Sequence, residues 1–167
     1  MIFVTLGTHE QPFNRVLIEI DLLKKNKVIN ENVVVQSGFS TYRMKYCEQY
    51  DVITYEQMKK NIKDARIVIS HGGPASFLMV LQEKKVPIVV PRQKRFNEHV
   101  NDHQVEFVRQ IFEKKKNIIP VYEITDLKKV ILNYDTVIHD VQSNLISNNQ
   151  IFNEKFNTLT KALVNDK

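Results

Sequence analysis

The sequence predicts an α/β fold, a parallel β-sheet with helices on both faces. Three observations carry that expectation. Short runs of Val and Ile recur along the chain, among them Ile2–Leu6, Val33–Val35, Ile67–Ile69 and Pro87–Val90, and each is apolar on consecutive residues. Strands covered on both faces read this way, whereas a half-solvated antiparallel strand alternates. Segments with helical spacing of apolar residues separate the runs, and repeated strand–helix units give a parallel sheet. Finally, all four glycines, Gly7, Gly38, Gly72 and Gly73, follow just after such a run. That position is the carboxyl edge of a parallel sheet, where open α/β folds bind ligands.

Taken in order, Ile2–Leu6 is the first strand. Pro12 can open a helix in which Val16, Leu17, Ile20 and Leu23 face inward. Asn32–Gln36 is a second strand, and Val52–Tyr55 a shorter one. Glu56–Asp64 reads as a helix with Met58 and Ile62 inward, and Arg66–Ser70 as a buried strand. His71-Gly72-Gly73 is a turn, after which Pro74 suits the first turn of a helix running to about Lys84. Pro87–Val90 is a strand closed by Pro91, followed by a charged loop, Arg92–Asn97, and a helix from about His99 to Phe112. Ile118–Val121 is a last strand, and Thr125-Asp126 can cap a helix through about Tyr134. The tail is Asn-rich, yet Leu145, Phe152, Phe156, Leu159 and Leu163 recur with mostly helical spacing. The expected division is residues 1–135 as the α/β domain and 136–167 as a helical tail that closes the domain or docks on a partner.

Composition excludes several classes. The chain has 167 residues, suited to one domain, and no stretch approaches the roughly 20 apolar residues of a membrane-spanning helix. No basic region precedes the first apolar run, so no signal peptide is expected. A single cysteine, Cys47, allows neither an intrachain disulfide nor a cysteine metal cluster, and fits a reducing cytoplasm. Net charge is +5. The lysines lie in separated clusters with no basic run interleaved with aromatics, so nucleic acid is not an expected partner.

Chemistry concentrates in two segments. The first, Val68 to Ser76, is a strand, a glycine turn and a helix start. Free N–H groups and the macrodipole make such a helix start a phosphate site. Pro74 has no N–H, so Gly73, Ala75 and Ser76 are the expected backbone donors, with the Ser76 hydroxyl beside them. The segment is neither a Walker loop nor GxGxxG. The second runs from Pro91 to Gln104. Arg92, Lys94 and Arg95 suit a diphosphate, and Glu98, Asp102 and Gln104 suit sugar hydroxyls. His99 and His103 are four apart, as on a zinc-binding helix, but there is no HExxH, and no metal is expected.

Four motifs, Val4-Thr5-Leu6-Gly7-Thr8, Gln36-Ser37-Gly38, Ser70-His71-Gly72-Gly73-Pro74-Ala75-Ser76 and Asn101-Asp102-His103-Gln104, occur in this order. In them the chain resembles the C-terminal, donor-binding domain of glycosyltransferase family 28, over roughly residues 1–135. That resemblance implies a Rossmann-like domain forming one half of a GT-B enzyme. It looks most like the stand-alone bacterial subunits of capsule and exopolysaccharide β-1,4-galactosyltransferases, and the soluble subunit of the split dolichol-pathway UDP-GlcNAc transferase is similar. It implies that Thr5, Gly7 and Thr8 shape the first loop near the donor or the cleft, and that Gly38 lies near the nucleotide. His71, Gly72, Gly73, Ala75 and Ser76 would bind the UDP diphosphate, and Asp102 and Gln104 would touch the donor sugar or phosphate. Many relatives hold the ribose with a Glu where this chain has Met79, and Glu98 is a substitute for it.

The implied reaction is inverting. An acceptor hydroxyl attacks the anomeric carbon from the face opposite UDP while a base takes its proton: His9, Glu10, His99 or a residue of the partner. The implied partners are a membrane-anchored second subunit, a UDP-sugar and a lipid-linked saccharide, with a homodimer of the isolated chain left open. The implied location is cytoplasmic, at the inner face of the plasma membrane through that partner. A non-enzymatic module that positions a membrane transferase is the alternative. A self-sufficient enzyme acting on another phosphorylated ligand, such as a nucleotide-sugar epimerase, fits less well, for want of a second domain and of GxGxxG.

Overall fold

The computed structural model describes residues 1–142. Six parallel strands form one sheet: β1 (Ile2–Thr5), β2 (Val33–Gln36), β3 (Glu48–Tyr50), β4 (Ile67–His71), β5 (Ile88–Val90) and β6 (Ile119–Pro120). Their order is β3-β2-β1-β4-β5-β6. The chain therefore winds outward one way from β1, then crosses back and winds the other way from β4. β1 and β4 pair side by side, Ile2 opposite Ile67 through Thr5 opposite Ser70. Crevices at such a reversal are where doubly wound sheets hold ligands.

Successive strand residues point to opposite faces, and two sets of helices cover them. Ile2, Val4 and Leu6 pack with Val16, Leu17 and Ile20 of α1 (Asn14–Lys25) and with Leu127 and Ile131 of α5 (Leu127–Leu132). Phe3 and Val68 pack on the other face with Ile62 of α2 (Tyr55–Asp64) and Val80 of α3 (Pro74–Gln82). Phe77 and Val89 meet Val108 of α4 (His103–Lys115). α6 (Tyr134–Gln142) follows, and Tyr134 donates its buried hydroxyl to the Val86 carbonyl at 2.6 Å. The tail residues Leu145, Phe152, Phe156, Leu159 and Leu163 lie outside the described residues.

Four expectations are corrected. The third strand is Glu48–Tyr50, not Val52–Tyr55: the segment that pairs with Val34–Gln36 is polar and at the sheet edge, while Val52 is 68% exposed. Thr54 instead caps α2 in a capping box with Gln57. The helix expected at His99 begins at His103, because residues 97–102 form a loop that opens with Asn97 at φ 55°. The first helix starts at Asn14 rather than Pro12. The helix expected from Thr125 to Tyr134 is a 3-10 turn, Ile124–Asp126, followed by α5, a break at Asn133 and α6.

Candidate functional site

The loops after β1, β2, β4 and β5 meet at the carboxyl edge, and one side chain ties the loops after β1 and β3 to the end of β2. Gln36, at the end of β2, accepts from the Thr5 hydroxyl at 2.8 Å and the Gly7 N–H at 3.2 Å. Its amide donates to the Gly7 and Asp51 carbonyls, both at 3.0 Å. All the polar groups of this buried side chain are satisfied, so the loops are held rather than loose. Thr5 is thus a buried brace rather than a surface contact. Gly38, at φ +57°, sits so close to the first loop that a Cβ would meet the Gly7 carbonyl at 2.0 Å. Thr8 is exposed at the rim.

His71 occupies the centre of the edge. Its Nδ1 accepts the Gly73 N–H at 2.9 Å, and its Nε2 lies 2.8 Å from Ser76 Oγ. Burial, reinforced by the charges of Arg92 and His9, pushes its pKa down to about 4, so the ring is neutral at physiological pH. Two glycines make room for this ring. A Cβ on Gly7, whose φ of +71° already favours glycine, would stand 2.6 Å from Nε2, and one on Gly73 would stand 2.2 Å from Cε1. These glycines therefore serve the imidazole before any ligand. The Gly73 N–H, expected as a phosphate donor, is engaged by His71, and the Ser76 N–H is bonded to the Gly73 carbonyl at 3.2 Å. The Ala75 N–H has no partner among the described residues.

A pocket of about 360 Å³ opens here, lined by Gly72, Gly73, Pro74, His103, Gln104 and Phe107. It is of the size of small-molecule sites. The N-termini of α3 and α4 both border it, so two sets of orphan N–H groups and two macrodipoles favour negative charge there. Gln104 packs on Gly72, and its Oε1 accepts the Arg92 N–H at 3.1 Å, which leaves the amide nitrogen free for a ligand. Phe107 stacks on Phe77 with ring centroids 6.1 Å apart and gives the pocket an apolar wall. Asp102 accepts the Lys94 N–H at 2.8 Å and so closes its own loop. Met79 packs into the core with Phe3 and Val80.

Two residues read from sequence as ligand contacts are built into the scaffold instead. Arg92 is 0% exposed. Its guanidinium donates to the carbonyls of Gln11 at 2.6 Å, Glu98 at 3.1 Å and Leu6 at 3.0 Å, above the Phe13 ring. It clamps the loop after β1 to the loop after β5 and cannot reach a diphosphate. Glu98 is 2% exposed, paired with Arg15 at 2.7 Å, and accepts the Gln93 N–H at 3.1 Å. With both oxygens engaged and buried, it is unsuited to hold a ribose in place of the Glu absent at Met79.

The clamp brings the candidate bases together. His9 and His99 stack with ring centroids 4.6 Å apart, and His99 and His103 lie 5.1 Å apart, the last two on a loop and a helix start rather than on one helix. Burial, then the neighbouring His9 and His103, lowers the pKa of His99. Nδ1 of His9 accepts the Gln11 N–H and Nδ1 of His99 the Asn101 N–H, at 3.3 and 3.4 Å. Glu10 is exposed and has no hydrogen-bond partner among the described residues. No group of three or more metal-ligating side chains is assembled among the described residues. Sequence reasoning missed the bracing role of Gln36, Phe107 and the pocket position of His103. For Gln36 the signal was a lone amide ending an apolar strand.

The model of the glycosyltransferase family 28 C-terminal domain matches residues 1–162. The chain is similar to human UDP-N-acetylglucosamine transferase subunit ALG13, 31% identical over 123 residues, covering 66% of this chain and 10% of that protein. Two solved structures share the fold. The glycotransferase of kitacinnamycin aligns with TM-score 0.59 and 15% identity, over 86% of this chain and 37% of its own. The glycosyltransferase SnogD from Streptomyces nogalater aligns with TM-score 0.55 and 10% identity, over 86% and 38%. The sheet is thus the Rossmann-like domain of GT-B glycosyltransferases, and the chain spans well under half the length of each of these relatives.

Proposed function

For a chain that belongs to the glycosyltransferase family 28 C-terminal domain family, we propose the role of donor-binding and catalytic subunit of a two-component, inverting glycosyltransferase. It moves a hexose, galactose in the favoured reading, from a UDP-sugar to a lipid-linked saccharide in capsule or exopolysaccharide synthesis. The observation that carries this reading is the pocket between the starts of α3 and α4. Its Gln104 amide and two helix N-termini suit a diphosphate, the Ala75 N–H and Ser76 hydroxyl lie in the adjoining first turn of α3, and Phe107 and Pro74 give it apolar walls.

In the reaction, the acceptor oxygen bonds to the anomeric carbon as the bond from that carbon to the UDP oxygen breaks. Negative charge grows on the leaving diphosphate, and the helix N-termini, with Lys94 exposed on the adjoining loop, stabilise it, whereas Arg95 is paired with Glu123. No metal is invoked for this. Glu10 is the preferred base within the chain, because its carboxylate is free whereas Nδ1 of both His9 and His99 is occupied. A second subunit would complete the cleft. The likeness to a protein named as a transferase subunit supports the same. A membrane-anchored partner would hold the chain at the cytoplasmic face of the plasma membrane.

The test is thermal unfolding of the chain with UDP, UMP, GDP and the common UDP-sugars in EDTA, repeated with magnesium. A ligand at a hundred times its dissociation constant adds about 2.7 kcal/mol. A UDP-selective shift, metal-independent and largest with UDP-galactose, is expected. Absence of any uridine-dependent shift, alone and with the partner, would leave only the accessory-module reading.

A further inference from the structure

We propose that His71 is a positioning residue that turns the Ser76 hydroxyl proton away from the ring, so that Ser76 rather than the imidazole donates to a phosphate oxygen bound beside the pocket at the start of α3. The proposal deepens the diphosphate reading of the pocket and rests on it. Two contacts fix the ring's tautomer. The Gly73 N–H donates to Nδ1 at 2.9 Å, and a nitrogen that accepts an N–H carries no proton. The neutral ring is then protonated at Nε2, 2.8 Å from Ser76 Oγ. In that bond the imidazole donates and the hydroxyl accepts. The hydroxyl hydrogen is left to point elsewhere, and Ser76 sits in the first turn of α3 next to the free Ala75 N–H.

The surroundings exclude the other states of the ring. An imidazolium would set an Nδ1–H against the Gly73 N–H, and burial disfavours it in any case. Gly7 and Gly73 flank the ring so closely that neither could carry a Cβ where it stands, and both ring nitrogens are already engaged. Without His71 the Ser76 hydroxyl would be free to bond back to the carbonyl of Gly72 or Gly73, the habit of serine in a helix, and its proton would be withdrawn from the ligand. A sequence reading assigns His71 to the phosphate directly; the geometry assigns it one step behind.

The test joins a spectroscopic and a binding measurement. Long-range proton–nitrogen NMR of the ¹⁵N-labelled chain, with His71 assigned by its loss in His71→Gln, is expected to show Nε2 protonated and Nδ1 bare from pH 8 to pH 5.5. Titration calorimetry with UDP, and separately with inorganic pyrophosphate, is then run on the wild type, Ser76→Ala, His71→Ala and the double variant. Each single change is expected to weaken binding about 10-fold, the loss typical of one hydrogen bond to a charged group. The double variant is expected to be no weaker than Ser76→Ala, because His71 acts through Ser76. Protonation at Nδ1, or losses that multiply in the double variant, would overturn the proposal, and the NMR result decides even if His71→Ala fails to fold. Binding of pyrophosphate but not UDP would sink the uridine reading and leave this proposal standing. Binding of neither would overturn it.

Discussion

Gly73→Ala isolates the packing around His71. Gly73 has φ −74° and ψ 128°, a conformation any residue adopts, so alanine there introduces no backbone strain. The new methyl would stand 2.2 Å from His71 Cε1 and 2.8 Å from Nδ1. The ring cannot retreat, since Gly7 closes its other side and Ser76 holds Nε2 at 2.8 Å. Overpacking of this kind costs about 1–3 kcal/mol, and displacing the ring also forfeits the Gly73–His71 hydrogen bond, worth about 1 kcal/mol. For a chain of this size each kcal/mol moves the melting temperature by about 2–4 °C. The assay is urea unfolding followed by far-UV circular dichroism, on the wild type, Gly73→Ala, His71→Ala and the double variant. Gly73→Ala is expected to lose about 2–4 kcal/mol against the wild type but under about 0.5 kcal/mol in the His71→Ala background, where the obstacle is gone. A near-neutral Gly73→Ala, or an equal loss in both backgrounds, would refute the claim that the glycine exists for the imidazole.

Three further outcomes are expected. His71 has a folded pKa of about 4, below its unfolded value of 6.5, so the unfolded chain binds the proton first; the stability it supports is intact above pH 6.5 and lost as pH falls toward 4. The full gap corresponds to about 3 kcal/mol, partly offset by Glu98, whose pKa burial raises; urea midpoints at pH 7.5, 5.5 and 4.5 should fall less steeply in His71→Gln than in the wild type. Arg92→Met should cost about 3 kcal/mol or more, because the carbonyls of Leu6, Gln11 and Glu98 lose their donor, and loss of the His9–His99 proximity in NMR should accompany it. Thr54→Ala should cost about 1 kcal/mol in urea unfolding by removing the capping box of α2 while leaving UDP affinity unchanged, since the box lies away from the pocket.

The sequence by itself determined the class and order of the fold. Continuous Val and Ile in β1, β2, β4 and β5 mark strands covered on both faces, and this follows from composition without knowledge of neighbours. It also located the His71–Ser76 turn, because Pro74 after paired glycines punctuates a strand-to-helix junction by local stereochemistry alone. Glu48–Tyr50 escaped notice because an edge strand needs no apolar run, only a partner's free backbone groups, and that partner, Val34–Gln36, is distant in sequence. What each site residue does was decided by the tertiary structure. Arg92 and Glu98 have the chemistry of ligand contacts, but burial placed their charges among carbonyls, an arginine and an amide that converge from other loops. Gly7 and Gly73 read alike as ligand-facing glycines until the fold set the His71 ring between them. Side-chain type fixes what a group is able to bond, whereas the bond it makes depends on which unsatisfied partners the packed chain brings within about 3 Å.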